Sequence, residues 1–482
     1  MVKKFKILSL VFIFIFLINC SFDNKSGIWS SEKNEKERVS DIEKQQKSVL
    51  DTIKLYSSEN KYTTEIKGKN KLNLTTPKKN TNWKMSGMNL QNFLGNIYLS
   101  NAENIFLKKK IGKNKFSLSK NLISPIIFNN NIIFSDDRGT IFNINKNGKI
   151  IWKKNIYKKL YKKIYKILSI SIYKDSVFVS DNIGFIYKLN IIDGKTIWIK
   201  NHGIPIKSEI KLFKEKIYLI NQDNRLLCLN AKDGSLLWNS RSISSFIKSQ
   251  HLLSLAISKK EDLVILNSAG DLIKLKSSTG QIYWTLISLG SLYAHDSAFF
   301  RSSKSVIIDN EIIFSTETST FSFNLNNGQL NWEIDAGSTN TPIIDKNNIF
   351  LVTNNGFFLN LDRKKGNVIW STNILKIMKK KKQDTHVTGF ILGSWKIYAT
   401  TKNGYLIKVS ADLGKVESLK KIGDPIYASP IIHDDALFIL TQNSRIFGLN
   451  WRKFRTLTKY MKFVALENFY LMRQQAWLDN HQ

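Results

Sequence analysis

The sequence predicts an all-β fold: an eight-bladed propeller of four-stranded blades, closed by an N-terminal outer strand and followed by a C-terminal helical tail. Three observations lead there. A Gly followed four residues later by Trp recurs at Gly148/Trp152, Gly194/Trp198, Gly234/Trp238, Gly280/Trp284, Gly328/Trp332 and Gly366/Trp370. Counting Gly414, which has Ser418 in the Trp slot, successive glycines stand 46, 40, 46, 48, 38 and 48 residues apart. That is the period of a propeller blade, and the apolar runs lack the 3.6-residue spacing of stacked helix pairs. Finally, eight apolar strand triplets can be counted, but only seven outer strands follow a Gly turn.

The unit is plainest from Ser208 to Trp238. Ile210–Phe213, Lys216–Ile220 and Leu226–Asn230 read as three short strands, with the polar turn Asn221–Asn224 between the last two. Asp233-Gly234 makes a tight turn into a fourth strand, the glycine supplying the positive φ that such a hairpin needs. The triplets begin near Leu122, Leu168, Glu209, Leu253, Ser305, Pro342, Phe390 and Pro430. The missing eighth outer strand is expected from Asn104–Gly112, paired with the final triplet, Pro430 to Asn450. Such pairing closes the ring and removes exposed sheet edges.

Before the ring, Lys3, Lys4 and Lys6 precede an apolar run, Ile7–Ile18, short for a membrane span and suited to a signal peptide. It ends Leu17-Ile18-Asn19-Cys20, which resembles a bacterial lipobox, although Asn19 stands where Gly, Ala or Ser is usual. The resemblance implies lipid attachment at Cys20, and Ser21 implies sorting to the outer membrane. Residues 1–19 are therefore read as signal and 20–74 as the lipidated Cys and a flexible tether. Residues 75–450 are read as the propeller and 451–482 as a helical extension. Val39, Ile42, Val49, Ile53 and Tyr56 fall at helical spacing within the tether, but its dense, nearly balanced charge reads as a solvated spacer. In the extension, Phe454, Leu457, Met461, Ala465 and Leu466 are spaced as on a helix.

Composition narrows the function classes. Aromatic residues make up 12%, too many for a disordered chain, and two cysteines cannot make a disulfide scaffold. Cys228 sits in a strand-like run and reads as a packed small hydrophobe. The formal charge of +35 suggests nucleic acid at first sight, but export argues against that partner. Anionic membrane, acidic proteins and compositional drift stay open. Two basic segments stand out: Lys379–Lys382, and Tyr157–Lys166, where Lys pairs alternate with aromatic or apolar groups. Either suits phosphate-bearing surfaces, against a plain solvated loop. The six His are scattered and expected mostly in exposed turns. No metal-ligand spacing, paired carboxylates or nucleophile motif is seen.

Two stretches, Cys228-Leu-Asn-Ala-Lys-Asp-Gly-Ser-Leu-Leu-Trp238 and Asn360-Leu-Asp-Arg-Lys-Lys-Gly-Asn-Val-Ile-Trp370, resemble the A-x-D-x-x-x-G-x-x-x-W repeat of pyrroloquinoline-quinone-type propellers. Asn82-Trp-Lys-Met-Ser-Gly87 resembles the W-x-x-x-G segment that opens many of them. The resemblance implies that each repeated Trp docks on a neighbouring blade as a structural staple. Lipobox, tether and eight repeats together resemble the BamB family, lipoproteins of the machinery that inserts β-barrels into the outer membrane. That implies a non-catalytic scaffold facing the periplasm and bound to the central barrel subunit. It would be a monomer within a hetero-complex, with no cofactor and no metal. The partner-binding loops then correspond to 239–253 and 287–304, with Phe246, Lys248, Asp296 and Arg301 as candidate contacts. Two readings compete: a quinone-dependent dehydrogenase, and an envelope propeller lipoprotein that binds another protein or a glycan.

Overall fold

The computed structural model describes residues 32–48, 62–114, 123–242, 252–287, 300–378 and 385–451. Among them are eight sheets, each of four antiparallel strands. Blade 1 runs from Ile126–Phe128 to Ile150–Asn155, blade 2 from Leu168–Tyr173 to Thr196–Asn201, and blade 3 from Lys211–Phe213 to Leu236–Arg241. Blade 4 runs from Ser254–Ile257 to Ile282–Leu286, blade 5 from Val306–Ile308 to Leu330–Ile334, blade 6 from Ile343–Asp345 to Val368–Asn373, and blade 7 from Val387–Gly393 to Val416–Lys421. Blade 8 takes Ile431–His433, Ala436–Leu440 and Arg445–Asn450 from the end of the ring and Asn104–Lys110 from its beginning. The expected closure is present: Asn104 pairs with Asn450 and Lys110 with Arg445. The ring thus leaves no open radial gap between its first and last blades.

First strands of neighbouring blades touch one another, which places them innermost, around the central axis. Because strands alternate in direction, the first–second turns of all blades and the third–outer turns of blades 1 to 7 lie on one face, here called the hairpin face. Second–third turns and blade-to-blade links lie on the opposite, crossover face. Inner and middle strands are buried on both sides, as in Asp262–Leu266, Asn348–Val352 and Ala436–Leu440. This explains why those runs read as continuously apolar rather than alternating.

The repeated Gly and Trp meet between blades. A Cβ added at Gly194 would lie 2.7 Å from the Trp152 ring, one at Gly234 2.9 Å from Trp198, and one at Gly280 2.5 Å from Trp238. Gly328, Gly366 and Gly414 stand likewise against Trp284, Trp332 and Trp370. Each Trp therefore covers the turn glycine of the next blade. A β-bulge helps to aim it: Cys228 faces Trp238, but Leu229 faces Leu236, so the outer strand gains a residue. Ring topology also explains the slots without Trp. Blade 7 carries Ser418, and the next blade has no turn glycine because its outer strand arrives from Asn104 instead of from a hairpin. On the other side of that blade, Gly148 is met by Leu107 and Lys109 of the closing strand.

Gly280→Ala should be costly for two reasons, its left-handed φ of +77° and the Trp238 ring. Gly203 has φ +72° with nothing within 4 Å of an added Cβ. The expected losses are about 1–2 kcal/mol for Gly203→Ala, from backbone strain alone. Gly280→Ala should cost a further ~1–3 kcal/mol from overpacking. Denaturant midpoints of the two variants check the difference; equal losses would mean that the ring yields freely.

Three features differ from the sequence reading. Glu32–Ser48, placed in the tether, is a helix with Val39 buried in the main core cluster. Residues 62–74, also placed there, run along blades 6 and 7: Ile66 bridges Ser371, and Leu74 is buried. Of the histidines, His433 is not an exposed turn residue but a buried inner-strand one, with Nε2 2.9 Å from the Thr81 carbonyl. His202 is half-buried, and desolvation lowers its basicity.

Candidate functional site

The segment between residues 75 and 98 decides what the channel can do. It crosses the hairpin end of the axis and touches the inner edge of all eight blades. Thr75 donates to Asp345 of blade 6 at 2.6 Å, and Asn80 Nδ2 donates to the Ile432 carbonyl of blade 8 at 2.8 Å. Trp83 exchanges both backbone hydrogen bonds with Ile127 of blade 1, and Ile172 N of blade 2 donates to Lys84 O at 2.7 Å. Ile257 N and Ile307 N of blades 4 and 5 donate to Leu90 O and Gln91 O, and Ile97 N donates to Leu392 O of blade 7. Asn92 Nδ2 donates to the carbonyls of both Leu255 and Ser305.

Blade 3 supplies a fully buried ammonium group. Lys211 Nζ donates to Ser86 O at 2.9 Å, Asn89 O at 2.8 Å and Asn92 Oδ1 at 2.7 Å. Three acceptors match the three protons of an ammonium group. Glu209 pairs with Lys304 Nζ at 2.7 Å and accepts from Ser86 Oγ. Burial pushes the Glu209 carboxyl up, but the two lysines outweigh it and hold it below its ordinary value. Burial lowers the Lys211 amine to about 7, against the pull of Glu209. This cluster was not read from the sequence. Its signal was two charges flanking Ile210 at the start of an otherwise apolar strand.

A cofactor or metal in the channel would need convergent polar ligands from these residues. They do not fit. The polar groups at the covered end of the channel are engaged by the chain's own segment, and no group of three or more His, Cys, Asp or Glu that could hold a metal occurs among the described residues. Cys228 is fully buried and its thiol is pushed up to about 11 by burial, which suits packing rather than reactivity.

Of the candidate partner contacts, Phe246, Lys248 and Asp296 lie outside the described residues, as do Cys20, Lys379–Lys382 and 452–482. Arg301 is described, about a third exposed, and pairs with Glu317 at 3.3 Å. The flanking strands show where the two loops belong. One leaves blade 3 after Arg241 and enters blade 4 at Ser254; the other leaves blade 4 after Leu286 and enters blade 5 at Val306. These four strand ends lie on the crossover face, opposite the covered channel end.

Comparison with known proteins agrees with this architecture. A family profile described as "Outer membrane protein assembly factor BamB" matches residues 137–372. BamB of Yersinia pestis is 23% identical over 264 residues, covering 50% of this chain and 62% of that one. BamB of Moranella endobia is 20% identical, covering 57% and 82%. An uncharacterized protein of Rickettsia conorii, RC0314, is 22% identical over 349 residues, covering 70% and 74%. Among solved structures, BamB from Moraxella catarrhalis superposes with a TM-score of 0.58 at 12% identity, over 72% of this chain and all of that one. A europium-containing methanol dehydrogenase reaches 0.59 at 10% identity over 74% and 89%, so the structural likeness establishes the fold alone. The chain is an eight-bladed propeller of PQQ-like repeats that resembles the BamB family of outer-membrane protein assembly factors.

Proposed function

We propose that the protein is a non-catalytic scaffold of the outer-membrane β-barrel assembly machinery, anchored through lipid on Cys20, facing the periplasm and holding the central barrel subunit. The observation that carries this reading is the match of the BamB profile to residues 137–372, a span that includes both candidate loops. The mechanism is binding. The strand ends that flank the two candidate loops, Arg241 and Ser254, and Leu286 and Val306, lie on the crossover face, and the anchor would raise their effective concentration near the complex. The enzyme alternative draws support from the dehydrogenases that share the fold, but the covered channel end, with Lys211 and Glu209 already partnered, does not suit a cofactor site.

The test is an affinity pull-down of the tagged full chain from solubilised membranes, with co-purified proteins identified by mass spectrometry. The central barrel subunit should be recovered, and Phe246→Ala with Lys248→Glu should reduce it at least about tenfold if that link is an interface hot spot. A folded chain that recovers no barrel subunit would sink the reading.

A further inference from the structure

The basic segment Tyr157–Lys166 has a definite place in the fold. It links blades 1 and 2 on the crossover face and contains a 3-10 turn, Lys159–Tyr161. Its aromatic and apolar members are anchored. Tyr157 Oη donates to Asp181 Oδ2 at 2.5 Å, Tyr161 packs edge-on against Phe185 at 5.6 Å, and Ile164 is fully buried. Lys166 turns inward and donates to the Ile164 carbonyl at 2.6 Å. Lys159, Lys162 and Lys163 are exposed. The alternation seen in the sequence is thus a pinned loop that displays cations outward.

The helix Glu32–Ser48 docks on this loop. Tyr161 Oη donates to Glu35 at 2.5 Å, Glu35 pairs with Arg38 at 2.7 Å, and Arg38 also donates to the carbonyls of Ile183 and Gly203. Glu35 lies in the first turn of the helix, so the chain leading from the N-terminus reaches the propeller beside the lysines. Only eleven residues lie between Cys20 and Glu32. Fully extended they reach about 40 Å, less than a folded domain of this size and its loops would need to turn another face to the bilayer.

We propose that the exposed lysines of this loop form a contact surface for an anionic lipid bilayer, turned toward the membrane by the helix that follows the anchor. The inference rests on Cys20 as the lipid site. Charge complementarity and the short lead from Cys20 name the bilayer as occupant. Glu37 and Asp41 are exposed on the helix, but Lys36 and Lys44 are exposed there as well, so the helix does not cancel the charge of the loop. The contact is electrostatic and would orient the propeller on the bilayer that the lipid anchor already holds.

The chain from residue 20 onward, with Cys20→Ser so that no lipid contributes, is sedimented with vesicles of phosphatidylethanolamine plus phosphatidylglycerol and with phosphatidylethanolamine–phosphatidylcholine vesicles. It should bind the anionic vesicles, and salt should release it. Lys159→Glu, Lys162→Glu and Lys163→Glu together should weaken that binding roughly 100-fold. A control with equal charge change, Lys259→Glu, Lys260→Glu and Lys365→Glu, alters exposed residues on the hairpin face and should weaken it far less. Unchanged circular dichroism establishes that both variants are folded. Equal losses in the two variants would mean that net charge, not this loop, drives binding, and would overturn the proposal. So would failure of the parent chain to bind anionic vesicles, including the case in which the loop captures only acidic protein or nucleic acid. The outcome separates from the scaffold reading, because vesicle binding can persist when no barrel subunit is recovered, and the converse.

Discussion

Trp370→Ala is expected to cost the protein about 3–5 kcal/mol of stability, seen as a lowered denaturant midpoint. Trp370 is fully buried, unlike the other repeated tryptophans, of which several keep an exposed edge. Its ring lies against Phe358 and Phe350 within blade 6, and Nε1 donates to the Ala411 carbonyl of blade 7 at 3.0 Å. Gly414 of blade 7 stands where a Cβ would lie 2.5 Å from the ring. Truncation therefore opens a cavity at a blade boundary and strands a buried carbonyl, two effects that add. Trp238→Ala is the comparison: that ring is half-buried and its indole nitrogen has no hydrogen-bond partner among the described residues, so its loss should be smaller. If Trp370→Ala cost less than about 1 kcal/mol, the staple role of the repeated Trp would be refuted, since ordinary surface changes are of that size.

The ring was legible because its repeat is chemical as well as numerical. A Gly must turn, a Trp must cover it, and both recur once per blade. The closing strand could be inferred from a count, since one triplet lacked an outer partner. Even the missing Trp at Ser418 follows, because a staple is useless where the next blade has no turn glycine. What escaped has a common physical cause: its burial is non-local and polar. Residues 75–98 have no apolar period; Asn80 and Asn92 side chains bond carbonyls of the blades, and Asn96 bonds the Thr75 carbonyl at the segment's other end. Asparagine gives no sequence signal of which carbonyl it will meet. The helix at Glu32–Ser48 escaped for a similar reason, its contacts being Arg38 and Glu35 as much as Val39. First–second hairpins such as Lys214-Glu215 and Ser394-Trp395 take left-handed φ without glycine, so the turns that frame each inner strand carried less punctuation than their geometry implies. At the candidate interface, Arg301 could be placed, while Phe246, Lys248 and Asp296 rest on sequence alone.

Glu209→Ala should destabilise the propeller by about 3–5 kcal/mol at neutral pH, because it leaves buried Lys211 and its neighbour Lys304 without their counter-charge. The pH dependence identifies the cause. The folded Glu209 carboxyl is held below its ordinary value, so its stabilising contribution is complete above the carboxylate range and fades as pH falls through the depressed folded value. The gap between wild type and variant should therefore be wide at neutral pH and narrow in acid. A second readout separates the cluster from general damage. Lys211 binds Ser86, Asn89 and Asn92 directly, so amide exchange should rise first in residues 86–92 and only later in the blades. Pairing Glu209→Leu with Lys304→Met removes both partners of the ion pair and keeps the Lys211 hydrogen bonds, so it should recover part of the loss, since neither member of that pair is left alone. A gap that stays constant with pH, or exchange that rises uniformly around the ring, would mean that Glu209 acts by packing alone and that the segment across the channel is held by its backbone contacts instead.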